Sequence, residues 1–404
     1  KKCRSTPHVA LEFCDAGCDR HRRNQVQEFK NQMLYTDIPT ADEVRSLDTF
    51  RGNICVSIYL PTTPVTRSSQ ADRILFKNLA STATDQLKEA KANKRHISAI
   101  EDAFADLEND RPFWAYMADG LAVFASPTKL RTFRLPLAPE PEVQVADRFH
   151  IKPLVPVMAQ TAHGFVLALS QGSIRLIEVT PSFAKEVKVA GMPKTMSDAV
   201  KRQMPRDRAP ARRLQGGEGM KVLQAQYCRA VDRALRPVLA GQTAPLVLAT
   251  VTELAAVYRA QNSYPALVNS IISGNPEAIS ESDLAAKARP IFARRQKKEL
   301  NERLAEAVAG LGKDLASADL AQIANAASRG QVATLFVDNT MEVPGRIKSS
   351  TGRLTLAKRP NAETYDVLDE LVGLVLRGGG EVLPMASKSM PDGSPATAAF
   401  RFRG

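Results

Sequence analysis

"GFVLALSQGSIRLIEVT", residues 164–180, is the stretch whose reading settles the architecture. Two runs of apolar and β-branched residues flank Gln171-Gly172, and a glycine between two such runs reads as the turn of a β-hairpin. The chain before it, "DRFHIKPLVPVM" (147–158), opens a unit, and "KEVKVAG" (185–191) offers a third strand. Residues 192–219 then carry no apolar period. Lys194, Lys201, Arg202, Arg206, Arg208, Arg212 and Arg213 stand there against Asp198, Asp207 and Glu218, which predicts a mobile basic loop. Periodicity returns with Met220, Leu223, Tyr227, Val231, Leu235 and Val238, spaced as one helical face. "APLVLATV" (244–251) is another buried strand, a helix follows around Ala255 and Tyr258, and the unit closes near Pro290.

Between loop and helix lies "RRLQGGEGMKVLQAQY" (212–227). Gly216 and Gly217 lack a Cβ, so the backbone there can reach dihedrals closed to other residues and can approach another surface closely. A helix starting beside them presents free N–H groups, and Arg212 and Arg213 add positive charge. Together these favour an anion such as a phosphate.

Outward from this unit, residues 33–145 read as an N-terminal α/β domain with a mixed sheet. "NICVSIYLP" (53–61) is a buried strand, Ile74, Leu75, Leu79 and Leu87 recur at helical intervals, and a second helix spans His96 to Leu107. "FWAYMADGLAVFAS" (113–126) places two apolar runs about Asp119-Gly120, a hairpin signal. "KLRTFRLP" supplies a further strand, and the proline-rich "LPLAPEPEV" (135–143) reads as an exit linker. Residues 291–404 begin with the charged helix "ARRQKKELNERLAEAVAGL". They continue with a helix ending at Arg329-Gly330, the strand "VATLFVD", the helix and strand of "ETYDVLDELVGLVLRGGGEVLPM", and a last strand in "PATAAFRFR". Short strands alternating with helices predict a three-layer α/β domain.

Composition agrees with a globular chain that meets polyanions. The 404 residues are 44% hydrophobic, and 55 Lys and Arg face 43 Asp and Glu for a net charge of +12. No apolar run reaches the roughly 18 residues of a membrane-crossing helix, and no secretory signal is visible, so the expected location is cytoplasmic with no membrane partner. Five scattered cysteines make no disulfide framework; Cys55 and Cys228 sit in apolar patterns as buried thiols. Cys14, Cys18 and His21 match no strong zinc spacing, so neither metal nor cofactor is expected. "MLYTDIPTADEV" from Met33 reads like a natural start, and residues 1–32 like upstream or disordered sequence.

The order "RFHIKPL", "GFVLALSQGSIRLIEV", basic loop with Gly216-Gly217 heading a long helix, and "PLVLATVTEL" resembles the middle domain of archaeal and eukaryotic class-1 peptide release factors. "LAQIANAASRGQVATLFVD" and "GGGEVLPMASKSMPDGSPATAAFRFR" are similar to the C-terminal domain of the same proteins. The resemblance covers residues 147–404, divided at 290/291. It extends to Pelota-like relatives and to the bacterial proteins similar to archaeo-eukaryotic release factors, whose first domain often carries a strand like "ICVSIYLPT".

The resemblance implies a three-domain chain with a ribonuclease-H-like middle domain. It implies a factor for translation termination, ribosome rescue or quality control, with ribosome and tRNA as partners. Delivery by a translational GTPase is left open. Lys201, Arg202, Arg206, Arg208, Arg212 and Arg213 would contact RNA. Gly216, Gly217 and Glu218 would stand beside the ester of peptidyl-tRNA. The family's loop reads Gly-Gly-Gln; Glu218 offers no amide donor and brings a charge among phosphates, which counts against hydrolysis. No Asn-Ile-Lys-Ser sequence supports codon reading. The alternatives are an active peptidyl-tRNA hydrolase using Glu218, and a ribonuclease-H-like nuclease. A nuclease needs clustered carboxylates for metal ions, and the strands supply Glu178 and little else. His150 and His163 read as structural or solvent-facing, and Trp114 and Tyr116 as core packing rather than base stacking.

Overall fold

The computed structural model describes residues 37–402 apart from 53, 64–68, 160–162, 182, 204–216, 349 and 360–363. Near its start Thr40 caps helix α1 (Ala41–Thr49). Glu43 N donates to Thr40 Oγ1 at 3.2 Å and Thr40 N donates to Glu43 Oε2 at 2.9 Å, the reciprocal pattern that the spacing Thr-x-x-Glu predicts. Strand β1 (Cys55–Pro61) follows, then helices α2 (Ser69–Glu89) and α3 (Lys94–Asn109). Strands β2 (Gly120–Ser126), β3 (Lys129–Leu135) and β4 (Glu142–Ala146) complete an antiparallel sheet ordered β3-β2-β1-β4.

Alternation divides the two faces of this sheet. Val56, Ile58 and Leu60 of β1 and Leu121, Val123 and Ala125 of β2 pack with Phe76, Ile100 and Trp114 from the helical side. Cys55 and Tyr59, with Ala122 and Phe124, point the other way, into a core that includes Leu368, Leu371 and Val375 from the end of the chain. Both faces are covered, which is why "CVSIYLP" is apolar almost throughout.

Two local expectations are corrected here. The hairpin about Asp119-Gly120 does not form: Arg111–Trp114 is one helical turn, and β2 pairs with β3 through Pro127-Thr128 instead. Gly120 answers to close packing, since a Cβ there would lie 2.3 Å from Leu137 O and 2.4 Å from Pro139 Cδ. The stretch "LPLAPEPEV" enters the sheet, because β4 pairs with β1 from Glu142 onward.

The middle sheet contains β5 (Gly164–Leu169), β6 (Ile174–Val179), β7 (Ala184–Val187), β8 (Leu246–Thr250) and β9 (Leu267–Ser273), ordered β7-β6-β5-β8-β9. The hairpin read at 164–180 is β5 with β6, in register Leu167↔Leu176; β8 runs parallel to β5, and β9 to β8. This is the ribonuclease-H-like arrangement. One face carries helices α4 (Met196–Gln203), α5 (Gly217–Leu239) and α6 (Thr252–Gln261), packed on Phe165, Leu167 and Leu169. Val166, Ala168 and Val247 on the other face meet Leu284, Ala285, Ala288 and Phe292 of helix α7 (Glu281–Val308).

α7 runs on through Pro290, where the sequence places the end of a unit. Pro290 sits on the exposed side, so the carbonyl freed by its missing N–H faces water. Further along, Leu304 and Ala307 of the same helix pack on Phe336 and Leu383 of the last sheet. That sheet, ordered β10-β16-β11-β15, comprises β10 (Ala316–Ser317), β11 (Val332–Val337), β15 (Glu381–Pro384) and β16 (Ala396–Phe400). Helices α8 (Leu320–Ser328) and α9 (Val367–Arg377) cover its other face, giving three layers. A small sheet of β12 (Pro344–Lys348), β13 (Arg353–Leu356) and β14 (Tyr365–Asp366) lies beside them.

The first and last sheets share more than apolar surface. Asp369, on α9, accepts from Ile151 N and Lys152 N, both at 2.7 Å, and its Oδ1 lies 3.2 Å from His150 Nδ1. On the far side of that ring Glu142 Oε1 is 3.2 Å from Nε2. Lys152 Nζ reaches Asp366 at 2.5 Å and Met341 O at 2.6 Å. Arg148 and Arg377 both engage the buried Glu370, and Arg377 also holds Asp48 of α1. Tyr59 Oη donates to His150 O at 2.6 Å and His150 N donates to Ser57 Oγ at 2.9 Å, which ties the cluster to β1. His150 is thus a buried structural group, not an acid-base one. Burial alone would depress its pKa, but Asp369 and Glu142 outweigh it and raise the value to about 10. Both carboxylates are held below their ordinary range by His150 despite their own burial.

The folded imidazolium titrates near pH 10 and the unfolded one near about 6.5, so its stabilisation is complete below the lower value and lost on rising through the upper. The carboxylates act oppositely: their contribution is complete above about pH 4.5 and fades as pH falls. Replacing His150 with Gln should therefore destabilise by about 3 kcal/mol near pH 6, and the deficit should shrink towards alkaline pH; thermal melts across pH check it. Gly120→Ala should cost about 1–3 kcal/mol in the same melts, because backbone and a proline ring crowd the added Cβ.

Candidate functional site

The segment singled out for chemistry lies between α4 and α5. Gly216, Arg206, Arg208, Arg212 and Arg213 fall outside the described residues. Lys201 and Arg202 belong to α4, so the expected loop is in part helical. The missed signal is local: Asp198 N donates to Thr195 Oγ1 at 3.1 Å and Lys194 N donates to Asp198 Oδ2 at 3.0 Å, an N-terminal cap of Thr-x-x-Asp type. Ala199 then buries one side of the short helix.

Gly217 is the first residue of α5 and Glu218 the second. Tyr227, Val231, Leu235 and Leu239 lock the helix onto the sheet. The Tyr227 hydroxyl donates to the carbonyl of Ser170, just past the end of β5. α5 runs antiparallel to β5, and Gly217 lies ten residues before that anchor. Along the helix axis, at 1.5 Å per residue, that is about 15 Å to the Ser170 side of the anchor, where Gly219 is buried and Leu223 to Gln226 are half-buried. On the outer side of this first half Met220 (43%) and Val222 (49%) are exposed. The first four N–H groups of a helix have no partner within it, so the head of α5 is an array of donors with the positive end of the helix dipole behind it.

Nothing comparable gathers at the strand ends below. Ser170 follows β5, and Thr250, which closes β8, has a buried hydroxyl with no partner among the described residues. The carboxylate nearby is Glu277, which accepts from Ser170 Oγ at 2.6 Å and from Gly172 N at 3.1 Å. Among the described residues no three His, Cys, Asp or Glu side chains are grouped to hold a metal ion. His163 and Glu178 pair at 2.8 Å, but at the opposite end of β5 from the head of α5.

The remaining sequence candidates lie elsewhere. Trp114 is core, its Nε1 donating to Leu107 O at 2.7 Å, whereas Tyr116 is 51% exposed on the first sheet's side of the molecule. Cys55 and Cys228 are buried free thiols, pushed up by that burial to about 11 and about 12. No helix of the described residues is long and apolar enough to cross a membrane.

Comparison with known proteins adds to this geometry. Residues 159–298 match the family model of bacterial archaeo-eukaryotic release factor family 11. No curated protein matches the chain. Among solved structures, Pelota of Archaeoglobus fulgidus is 10% identical over 91% of this chain and 93% of its own, with a TM-score of 0.34. An archaeal Pelota from a ribosome-bound assembly is 16% identical over 68% of this chain and 72% of its own, TM-score 0.36. The archaeal translation termination factor aRF1 is 14% identical over 90% and 99%, TM-score 0.22. Superpositions of this quality are loose over the whole length. The family match, by contrast, spans the hairpin, the basic segment, α5 and the parallel strands, so in that stretch the chain is similar to the bacterial relatives of archaeo-eukaryotic release factors.

Proposed function

We propose that this protein associates with the ribosome and tRNA and acts in translation termination, rescue or quality control, presenting Gly216, Gly217 and Glu218 to peptidyl-tRNA. The observation that carries the proposal is the start of α5 at Gly217-Glu218, on the Ser170 side of the middle sheet, within the stretch that matches the family. Tyr227, Val231, Leu235 and Leu239 fix α5 on the sheet and so fix where its first turn stands. Its head would present Gly217 and the N–H groups of the first turn to a partner. The basic residues Lys201, Arg202, Arg206, Arg208, Arg212 and Arg213 precede it and would meet RNA phosphates.

The chemistry at the tip depends on Glu218. Its backbone N–H belongs to the first turn, whose donors have no partner within the helix, and could stabilise an oxyanion developing on the ester carbonyl. Its side chain works in the other direction. The helix dipole favours an ionised carboxylate at this position. That charge repels phosphates and donates no hydrogen bond with which to place the attacking water. Binding with slow or absent hydrolysis follows. The nuclease alternative draws no support, because Glu178 is paired with His163 at the wrong end of β5 and Glu277 is tied to the β5–β6 turn.

Peptide release from purified ribosome complexes carrying labelled peptidyl-tRNA separates the outcomes. Glu218→Gln should raise release by about tenfold or more by restoring the neutral donor, and adding Gly217→Ala should cancel the gain. Release by the wild type faster than by Glu218→Gln would instead favour a carboxylate-dependent hydrolase. Absence of ribosome binding by either protein would overturn the proposal.

A further inference from the structure

Val222, Gln226, Arg229, Arg233 and Arg236 recur along α5 at intervals of four, three, four and three residues, which places them on one outer face of the helix. The three arginines are exposed and cover about 10 Å of helix. Two are already oriented. Arg229 Nε donates to Gln261 Oε1 at 2.7 Å, and Arg236 donates from Nε to Ser263 Oγ at 3.1 Å and from Nη2 to Asp232 Oδ2 at 2.9 Å. These contacts use part of each guanidinium fork and leave the other N–H groups to solvent. Arg233 makes no hydrogen bond or ion pair to another described residue. Arg259, on α6 beside the same seam, is exposed as well and donates to Asn269 O.

The charge is one-sided. The exposed carboxylate of the described parts of α5 and α6 is Glu253; Asp232 is only 3% exposed and is saturated by Ser263 and Arg236. Other long helices mix the signs on their exposed faces, as Arg295–Glu299 and Lys298–Glu302 do on α7 and as Lys77, Asp85, Lys88 and Glu89 do on α2. A helix face that only needed to be solvated would be expected to follow that mixed pattern.

We infer that the outer face of α5, through Arg229, Arg233 and Arg236, is a second binding surface for the phosphate backbone of RNA. This inference rests on the ribosome-associated reading above. Guanidinium forks match phosphate oxygens two at a time, and those pre-oriented by Gln261 and Ser263 lose less freedom on binding. No aromatic side chain interrupts the stripe, so recognition is of backbone and not of bases. The stripe lies on the same helix whose first turn carries Gly217 and Glu218, so RNA that meets the head of α5 can run down the helix.

The test is fluorescence anisotropy of a short RNA duplex with the full chain across a range of KCl, beside ribosome sedimentation. Arg229→Gln with Arg233→Gln should weaken duplex binding about tenfold and make the log–log salt slope shallower by about two, one counterion per lost phosphate contact. Unchanged melting would show that the fold is intact. The single charge reversal Arg233→Glu, at a side chain with no described partner, should weaken binding in the same direction. Wild-type affinity and slope in the double variant, with ribosomes still bound, would overturn the α5 surface and leave the proposed function standing. Competition by polyglutamate equal to that by RNA would also overturn it, in favour of an acidic protein partner. Failure of the wild type to bind either duplex or ribosome would remove both.

Discussion

Asp369 is a buried carboxylate that collects two backbone N–H groups and an imidazolium on one oxygen. Isolated at that depth it would be strongly unfavourable, and the same is true of His150, Lys152 and Glu370. Each is tolerable only while the others are in place. The groups come from the opening helix, the turn after β4 and helix α9, so the cluster forms only when the two ends of the described chain meet. The arrangement leaves little freedom for alternatives. A shifted register of α9 would strand at least one charge without a partner, whereas the apolar contacts around it could be exchanged at modest cost.

That constraint also divides the labour within the chain. The first and last sheets are fastened to one another by a shared core and by paired charges. The middle sheet, which carries α5 and the residues assigned to RNA, has separate apolar clusters on its two faces. The stiff cluster shares no residue with the proposed chemistry, and the described residues assigned to that chemistry stand at the head of α5. Substitutions can vary the tip of α5 without disturbing the buried charges.

Much of this was legible in the sequence where the cause is local or periodic. The β5–β6 hairpin, the buried face of α5 and the burial of β1 follow from alternation and from helical spacing, and the structure returns them. Other features escaped because a signal has two physical causes. Asp119-Gly120 resembles a turn, yet its glycine is required by the carbonyl of Leu137 and the ring of Pro139. Pro290 resembles a helix stop, yet on an exposed face it costs one hydrogen bond and the helix continues. The charge cluster was not legible at all. His150 and Asp369 are 219 positions apart, and neither carries a mark of the other in its own neighbourhood. At the proposed site the glycine pair and the basic residues could be read, but the seating of α5 on the sheet could not, because it depends on where Tyr227 meets Ser170.

The long helix α7 makes the middle and last sheets partners in folding. Its buried side chains lie towards its ends, at Leu284 to Phe292 against one sheet and at Leu304 and Ala307 against the other. The stretch between has no fully buried side chain and holds its shape with side-chain pairs such as Arg295–Glu299 and Lys298–Glu302. A helical segment of that length is marginal in water without anchors. Detaching either end would therefore forfeit order in the span as well as contacts at the anchor, and the loss would be felt at the other end. The helix is in this sense a shared debt of order, through which two separately packed sheets acquire a common cooperativity.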